Sequence, residues 1–188
     1  MTVSLTIRNA EVVLPGSIQR VDVSVIDGRI HAVGSSIAEI GEVIDAEGLT
    51  LLPGMIDPQV HFREPGAAQK EDLHSGSCAA AAGGVTSFLD MPNNAPPVIT
   101  RERMAEKKQL AAEKSVVNYG FFMGATPDNL EELNAVENVC GIKIFMGSST
   151  GDLLVDNPQV LEKIFSNGSR LIAVHAEDDA VLKENTEL

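Results

Sequence analysis

The residues predict an α/β chain in which a small β unit precedes a run of strand–helix repeats. Three observations carry this. Up to about residue 52 apolar and polar residues alternate with a period of two, and β-branched residues are frequent. Beyond it, short apolar strands alternate with stretches that carry helix-start chemistry. A length of 188 residues with 44% hydrophobic content suffices to bury a core.

In the first part, Ser4 to Leu14, Arg20 to Gly34 and Glu42 to Leu52 read as strands. Asp27-Gly28 between apolar runs marks a hairpin, because glycine takes the positive φ that a tight turn demands. His31, just after that turn, reads as a solvated strand residue. From Leu51 onward the candidate strands are Met55 to Phe62, Val85 to Met91, Val116 to Met123, Ile142 to Met146 and Leu171 to His175. Between them Thr100 precedes Arg101, and Pro127 and Pro158 follow Thr126 and Asn157 as first helical residues. Leu161, Ile164 and Phe165 fall on one helical face. Gly83-Gly84 ends the Ala-rich helix Ala79 to Ala82. His74 inside that first helix reads as a surface or packing residue. Repeated strand–helix units give a parallel sheet. Five strands are a little over half of an eight-stranded barrel of ~250 residues, so the expected architecture is an incomplete (β/α)8 TIM-type barrel. The domains are 1–52, a small sandwich-like β domain, and 53–188, the first half of the barrel; the chain is expected to be a fragment, or its sheet to be completed by something else.

Charge removes several function classes. Fourteen Lys and Arg against 27 Asp and Glu leave a formal charge of -13, which repels nucleic acid and anionic membranes. Apolar runs fall short of the ~20 residues that span a bilayer, and the N-terminus lacks signal-peptide character, so a cytoplasmic location is expected. Cys78 and Cys140 lack metal or redox spacing and read as small buried apolar residues.

The chemistry gathers at strand ends, which in a parallel barrel open onto one face. His61 closes the first barrel strand before a Pro-Gly loop. Lys143 lies inside Gly141-Ile142-Lys143-Ile144-Phe145, where its charge would be costly to desolvate. Its amine can snorkel outward, pair with a carboxylate, or react as the neutral form, for example with carbon dioxide to give a carbamate whose two oxygens suit a pair of metal ions. His175 ends the fifth strand, and Glu177, Asp178 and Asp179 follow it as helix-start acids. The loops Asn94 to Pro97 and Met146 to Gly151 follow strands two and four and should flank the mouth of the site.

The run Pro53 to Gly66, with Asp57-Pro58-Gln59-Val60-His61-Phe62-Arg63 at its centre, resembles the first-strand signature of the cyclic amidohydrolases, most closely the dihydroorotases. The resemblance continues through Lys70-Glu71-Asp72, Ala79 to Thr86, Asp90-Met91-Pro92-Asn93, Gly141 to Gly151 and Val174 to Asp178. It implies a metal-dependent barrel, with zinc as cofactor in one or two sites. His61, a carboxylated Lys143 and His175 match three metal-ligand positions. Gln59 stands where the family has the first histidine, which weakens one ion site, because an amide oxygen is a poor zinc ligand beside imidazole. The sixth-strand histidine and the catalytic aspartate have no counterpart before Leu188, so no catalytic base is assigned and this chain alone is expected to be inactive. Arg63 and Asn93 match the family's readers of the substrate carboxylate. The activity implied is reversible opening of dihydroorotate to N-carbamoyl-L-aspartate in pyrimidine biosynthesis. Alternatives are an allantoinase or hydantoinase, or a non-catalytic subunit supporting a partner such as aspartate transcarbamoylase. Self-association into a homo-oligomer is also expected. The ligands His61, Lys143 and His175 are expected to converge on one face.

Overall fold

A computed structural model describes residues 4–147, 153–168 and 170–186. Ser148, Ser149, Thr150 and Gly151 of the loop expected after strand four, and the side chain of Asp179, lie outside the described residues. The chain forms two compact units, 1–53 and 54–188.

In the first unit β1 (Leu5–Leu14) pairs antiparallel with β2 (Ser17–Ile26), which pairs antiparallel with β3 (Arg29–Gly34). The short strands β4 (Glu42–Asp45) and β5 (Thr50–Leu51) both run parallel to β1. The β2–β3 turn places Asp27 at φ 53° and Gly28 at φ 74°, the paired positive values of a type I′ hairpin. His31 is exposed on β3. Alternation along β1 and β2 buries Ala10, Val12 and Val23, which pack with Ala46.

The second unit holds a five-stranded parallel sheet in the order β10-β9-β8-β7-β6, the half-barrel expected. Its strands are β6 (Met55–Val60), β7 (Val85–Asp90), β8 (Asn118–Gly124), β9 (Gly141–Phe145) and β10 (Ile172–His175). The helices are α1 (Leu73–Ala82), α2 (Arg101–Lys114), α3 (Leu130–Ala135), α4 (Pro158–Asn167) and α5 (Asp179–Thr186). Phe88, Phe121, Met123, Ile142 and Ile144 project from one face of the sheet into a core shared with Leu73, Met104, Ala111, Leu133 and Ile164 of the helices. Residues of alternate parity, including Lys143, Phe145 and His175, therefore project from the opposite face.

Helix starts follow the expected capping chemistry at two places. Thr100 Oγ1 accepts from Arg103 N, and Asn157 Oδ1 accepts from Gln159 N and Val160 N with Pro158 opening α4. At the third, Thr126-Pro127 does not start a helix. Asn129 Oδ1 takes the amide of Thr126, and Asn129 Nδ2 donates to Ile99 O and Gly124 O, so this side chain fastens a turn and α3 begins only at Leu130. Two further expectations are corrected. Cys78 is exposed on the solvent side of α1, while Cys140 is half-buried. In α4, Leu161 and Ile164 pack inward but Phe165 stays half-exposed at the stripe's edge.

Candidate functional site

Two groups of side chains stand at the C-terminal ends of the parallel strands. The first follows β6 at one edge of the sheet. His61 directly succeeds Val60, and its Nδ1 lies 2.7 Å from Oδ1 of Asn93 in the loop after β7. Because an amide oxygen only accepts, this contact places the proton on Nδ1 and leaves the Nε2 lone pair available. Arg63 is exposed two residues on, and among the described residues its guanidinium has no carboxylate partner. A cleft of about 90 Å³ is lined by His61, Arg63, Asn93 and Asn94 together with Pro65 and Ala95. Its two walls touch through backbone: a Cβ on Gly66, at φ +110°, would stand 2.2 Å from Ala95 O, so only glycine lets the loops approach this closely.

The second group lies on β9 and β10 near the other edge. Lys143 is 3% exposed and its Nζ sits 5.1 Å from the centre of the Phe145 ring. Burial pushes its amine below the ordinary lysine range, and no carboxylate among the described residues opposes that shift. Of the three outcomes open to this lysine, snorkelling is excluded by its burial, and it makes no ion pair among the described residues. His175 pairs in register with Phe145, the two rings 6.3 Å apart, while Lys143 pairs with Ala173. His175 Nε2 stands 3.1 Å from Glu177 Oε2. Glu177 lies before α5 and makes this contact instead of opening the helix: donation from Nε2–H to its carboxylate leaves the Nδ1 lone pair available. Asp178 has the helix-start role, its Oδ1 accepting from Val181 N. His74 is exposed and bonds to Lys114 O, as a surface residue.

The structure brings together His61 with Asn93 and Arg63, and Lys143 with Phe145 and His175. It does not join these groups by direct contact. Gln59 is exposed on β6, within an irregularity of the β6–β7 register between Asp57 and Val60. Among the described residues no three His, Cys, Asp or Glu side chains gather closely enough to hold a metal ion. The imidazoles alone are therefore insufficient. The donor set would fit zinc only with a carboxylated Lys143, whose amine is buried and has no carboxylate partner among the described residues.

One part of the site was not read from the sequence. Asp90 ends β7 and Lys107 lies on α2, both fully buried, with Nζ 2.8 Å from Oδ2. Burial raises the Asp90 carboxyl and lowers the Lys107 amine, and each partner's charge opposes the other's shift. The signal was present: Met104, Lys107 and Ala111 share the inward stripe of α2, which puts a cation on an apolar face.

This arrangement defines a class, a parallel half-barrel with polar and ionisable side chains gathered at its strand ends. Residues 50–164 match the amidohydrolase family, and the chain belongs to that family. Among its relatives are an allantoinase from Deinococcus radiodurans, 37% identical over all of this chain and 44% of the relative, and a dihydroorotase from Methanosarcina acetivorans, 37% identical over 97% of this chain and 40% of the relative. An L-hydantoinase (dihydropyrimidinase) from Arthrobacter aurescens superposes with a TM-score of 0.88 at 27% identity, covering all of this chain and 43% of that one. A dihydropyrimidinase from Brevibacillus agri gives 0.80 at 33% identity, covering 98% and 42%. The chain thus spans less than half the length of these relatives. Among the described residues no helix is long and apolar enough to cross a membrane.

Proposed function

We propose that a protein carrying this sequence is a dihydroorotase, opening the cyclic amide of dihydroorotate reversibly to N-carbamoyl-L-aspartate. The observation that carries this reading is Arg63: an exposed guanidinium with no carboxylate partner among the described residues, lining the cleft that holds His61 and Asn93. Dihydroorotate has a ring carboxylate for Arg63 to receive through paired hydrogen bonds, whereas allantoin and hydantoin rings have none. Asn93 uses its oxygen on His61 and has its amide N–H groups left to donate to the same carboxylate.

In the complete site His61 Nε2, His175 Nδ1 and a carboxylated Lys143 would hold zinc. When bound, that ion supplies activated water near neutral pH and polarises the amide carbonyl. The chain's own residues orient what reacts. Arg63 and Asn93 bind the carboxylate, Phe145 gives the lysine an apolar flank, and Asn93 and Glu177 fix the two imidazole tautomers.

Allantoinase is the second reading, favoured by the allantoinase relative whose 37% identity equals that of the dihydroorotase. Turnover of dihydroorotate and allantoin by the full-length protein separates them. For a dihydroorotase, Arg63→Ala raises KM for dihydroorotate by about 100-fold, as loss of a charge-assisted pair implies. Preferential turnover of allantoin, indifferent to Arg63, would exclude the first reading.

A further inference from the structure

The buried Asp90–Lys107 pair does not end at the ion pair. Lys107 Nζ also donates to Asn94 Oδ1 at 2.6 Å and to Met91 O at 3.1 Å, and rests 4.9 Å from the centre of the Phe121 ring. An ammonium can only donate, so this contact fixes which end of the Asn94 amide faces it. The amide nitrogen is thereby turned the other way, where Nδ2 donates to Phe62 O and Glu64 O, each at 3.2 Å. Those carbonyls belong to the residues on either side of Arg63. Asp90 Oδ1, the oxygen not facing Lys107, accepts from Phe62 N at 3.1 Å. Both backbone groups of Phe62 and the carbonyl of Glu64 are thus held by a network rooted in α2 and β7.

We propose that Asn94, oriented by the buried Lys107–Asp90 pair, is a positioning residue that sets the backbone of Arg63 and so tunes selectivity for carboxylate-bearing rings. The selectivity half rests on the dihydroorotase reading; the positioning half does not. Asn94 lies beside Asn93 but acts differently. Asn93 meets an imidazole, whereas Asn94 grips main chain on both flanks of the arginine. A mobile loop would present Arg63 in many poses, and the charge-assisted pair would lose the geometry that makes it strong.

The test uses Asn94→Ala and Asn94→Asp in the full-length protein. Aspartate keeps an acceptor for Lys107 and nearly the same shape, so folding is retained, but it cannot donate to Phe62 O and Glu64 O. In metal-free protein, amide hydrogen exchange across residues 61–66 should accelerate about tenfold or more in both variants, while exchange in the β8 and β9 amides stays unchanged. In metal-loaded protein, KM for dihydroorotate should rise about tenfold, more than kcat falls, with no matching rise for hydantoin. Exchange in Asn94→Asp equal to wild type overturns the positioning role. Faster exchange with equal KM effects on both rings overturns the selectivity role. Faster exchange in a protein that turns over no dihydroorotate supports positioning and removes the functional reading instead.

Discussion

Nδ1 of His61 lies 2.7 Å from Oδ1 of Asn93, a contact between the ends of adjacent strands made by residues 32 apart in sequence. Its counterpart at the other edge of the sheet is the 3.1 Å approach of His175 Nε2 to Glu177 Oε2. Each imidazole has one nitrogen committed to an oxygen acceptor, and opposite nitrogens, Nε2 in one and Nδ1 in the other, are left to bind.

This relationship predicts the behaviour of Asn93 variants. Asn93→Ala removes the acceptor and frees the His61 ring to rotate and change tautomer, so zinc affinity should fall about 10–100-fold, the usual effect of losing an outer partner of a metal-binding histidine. Asn93→Asp retains the oxygen and should keep most of the affinity. Competition titration against a chelator measures both. Equal affinity in wild type and Asn93→Ala would show that the contact has no part in ligation.

Acid stability turns on a second contact. Arg101, the first residue of α2, donates its backbone N–H to Glu132 Oε2 at 2.6 Å and its guanidinium to both carboxylate oxygens at 3.2 to 3.3 Å, tying α2 to α3. The Arg101 side chain, with its backbone N–H second, holds the Glu132 carboxyl below the ordinary glutamate value of 4.5. A depressed folded-state pKa stabilises the fold above the unfolded pKa, and that stability is lost as pH falls through the folded value. Urea midpoints should therefore drop from about pH 5 downward. Glu132→Gln should lower the midpoint at neutral pH and flatten the acid limb. Asp72 supplies part of the slope that remains, its carboxyl being lowered first by the Ser75 backbone N–H. A Glu132→Gln variant with the wild-type acid profile would assign the transition elsewhere.

The sequence made the sheet legible because each barrel strand is a short apolar run between strong punctuation. Val85 to Met91 begins after Gly83-Gly84 and proves to be Val85–Asp90; Ile142 to Met146 proves to be Gly141–Phe145. Capping was readable where a side chain acts on its own helix, as Thr100 and Asn157 do. It failed at Thr126-Pro127, because Asn129 spends its amide on Ile99 and Gly124, contacts that only the folded chain creates. The same limit hid Lys107. Its spacing from Met104 and Ala111 marks an inward stripe, but its partner Asp90 sits on another element, and ion pairs between elements leave no local pattern. Gln59, Arg63 and Lys143 stand out in the sequence for the opposite reason, since each lies inside a motif whose neighbours fix its position.

Gln59 gives the prediction of widest reach. It is exposed on β6, two residues before His61, at the position where the resemblance places a second imidazole. A neutral amide removes one good ligand from that corner, and a lone histidine seldom retains zinc. Lys143, by contrast, is buried without a carboxylate among the described residues, and its ladder partner Ala173 lies two residues before His175. A full-length protein should hold one dominant ion through the Lys143 carbamate and His175, its occupancy rising with bicarbonate during loading, and the ion near His61 should exchange readily. Gln59→His should then raise the metal content from about one toward two per chain, because two imidazoles and the bridging carbamate complete the weaker position. Metal analysis after dialysis decides the matter. Two tightly held ions with Gln59 in place would mean that the amide, or a group from beyond these residues, serves as the ligand that histidine supplies elsewhere.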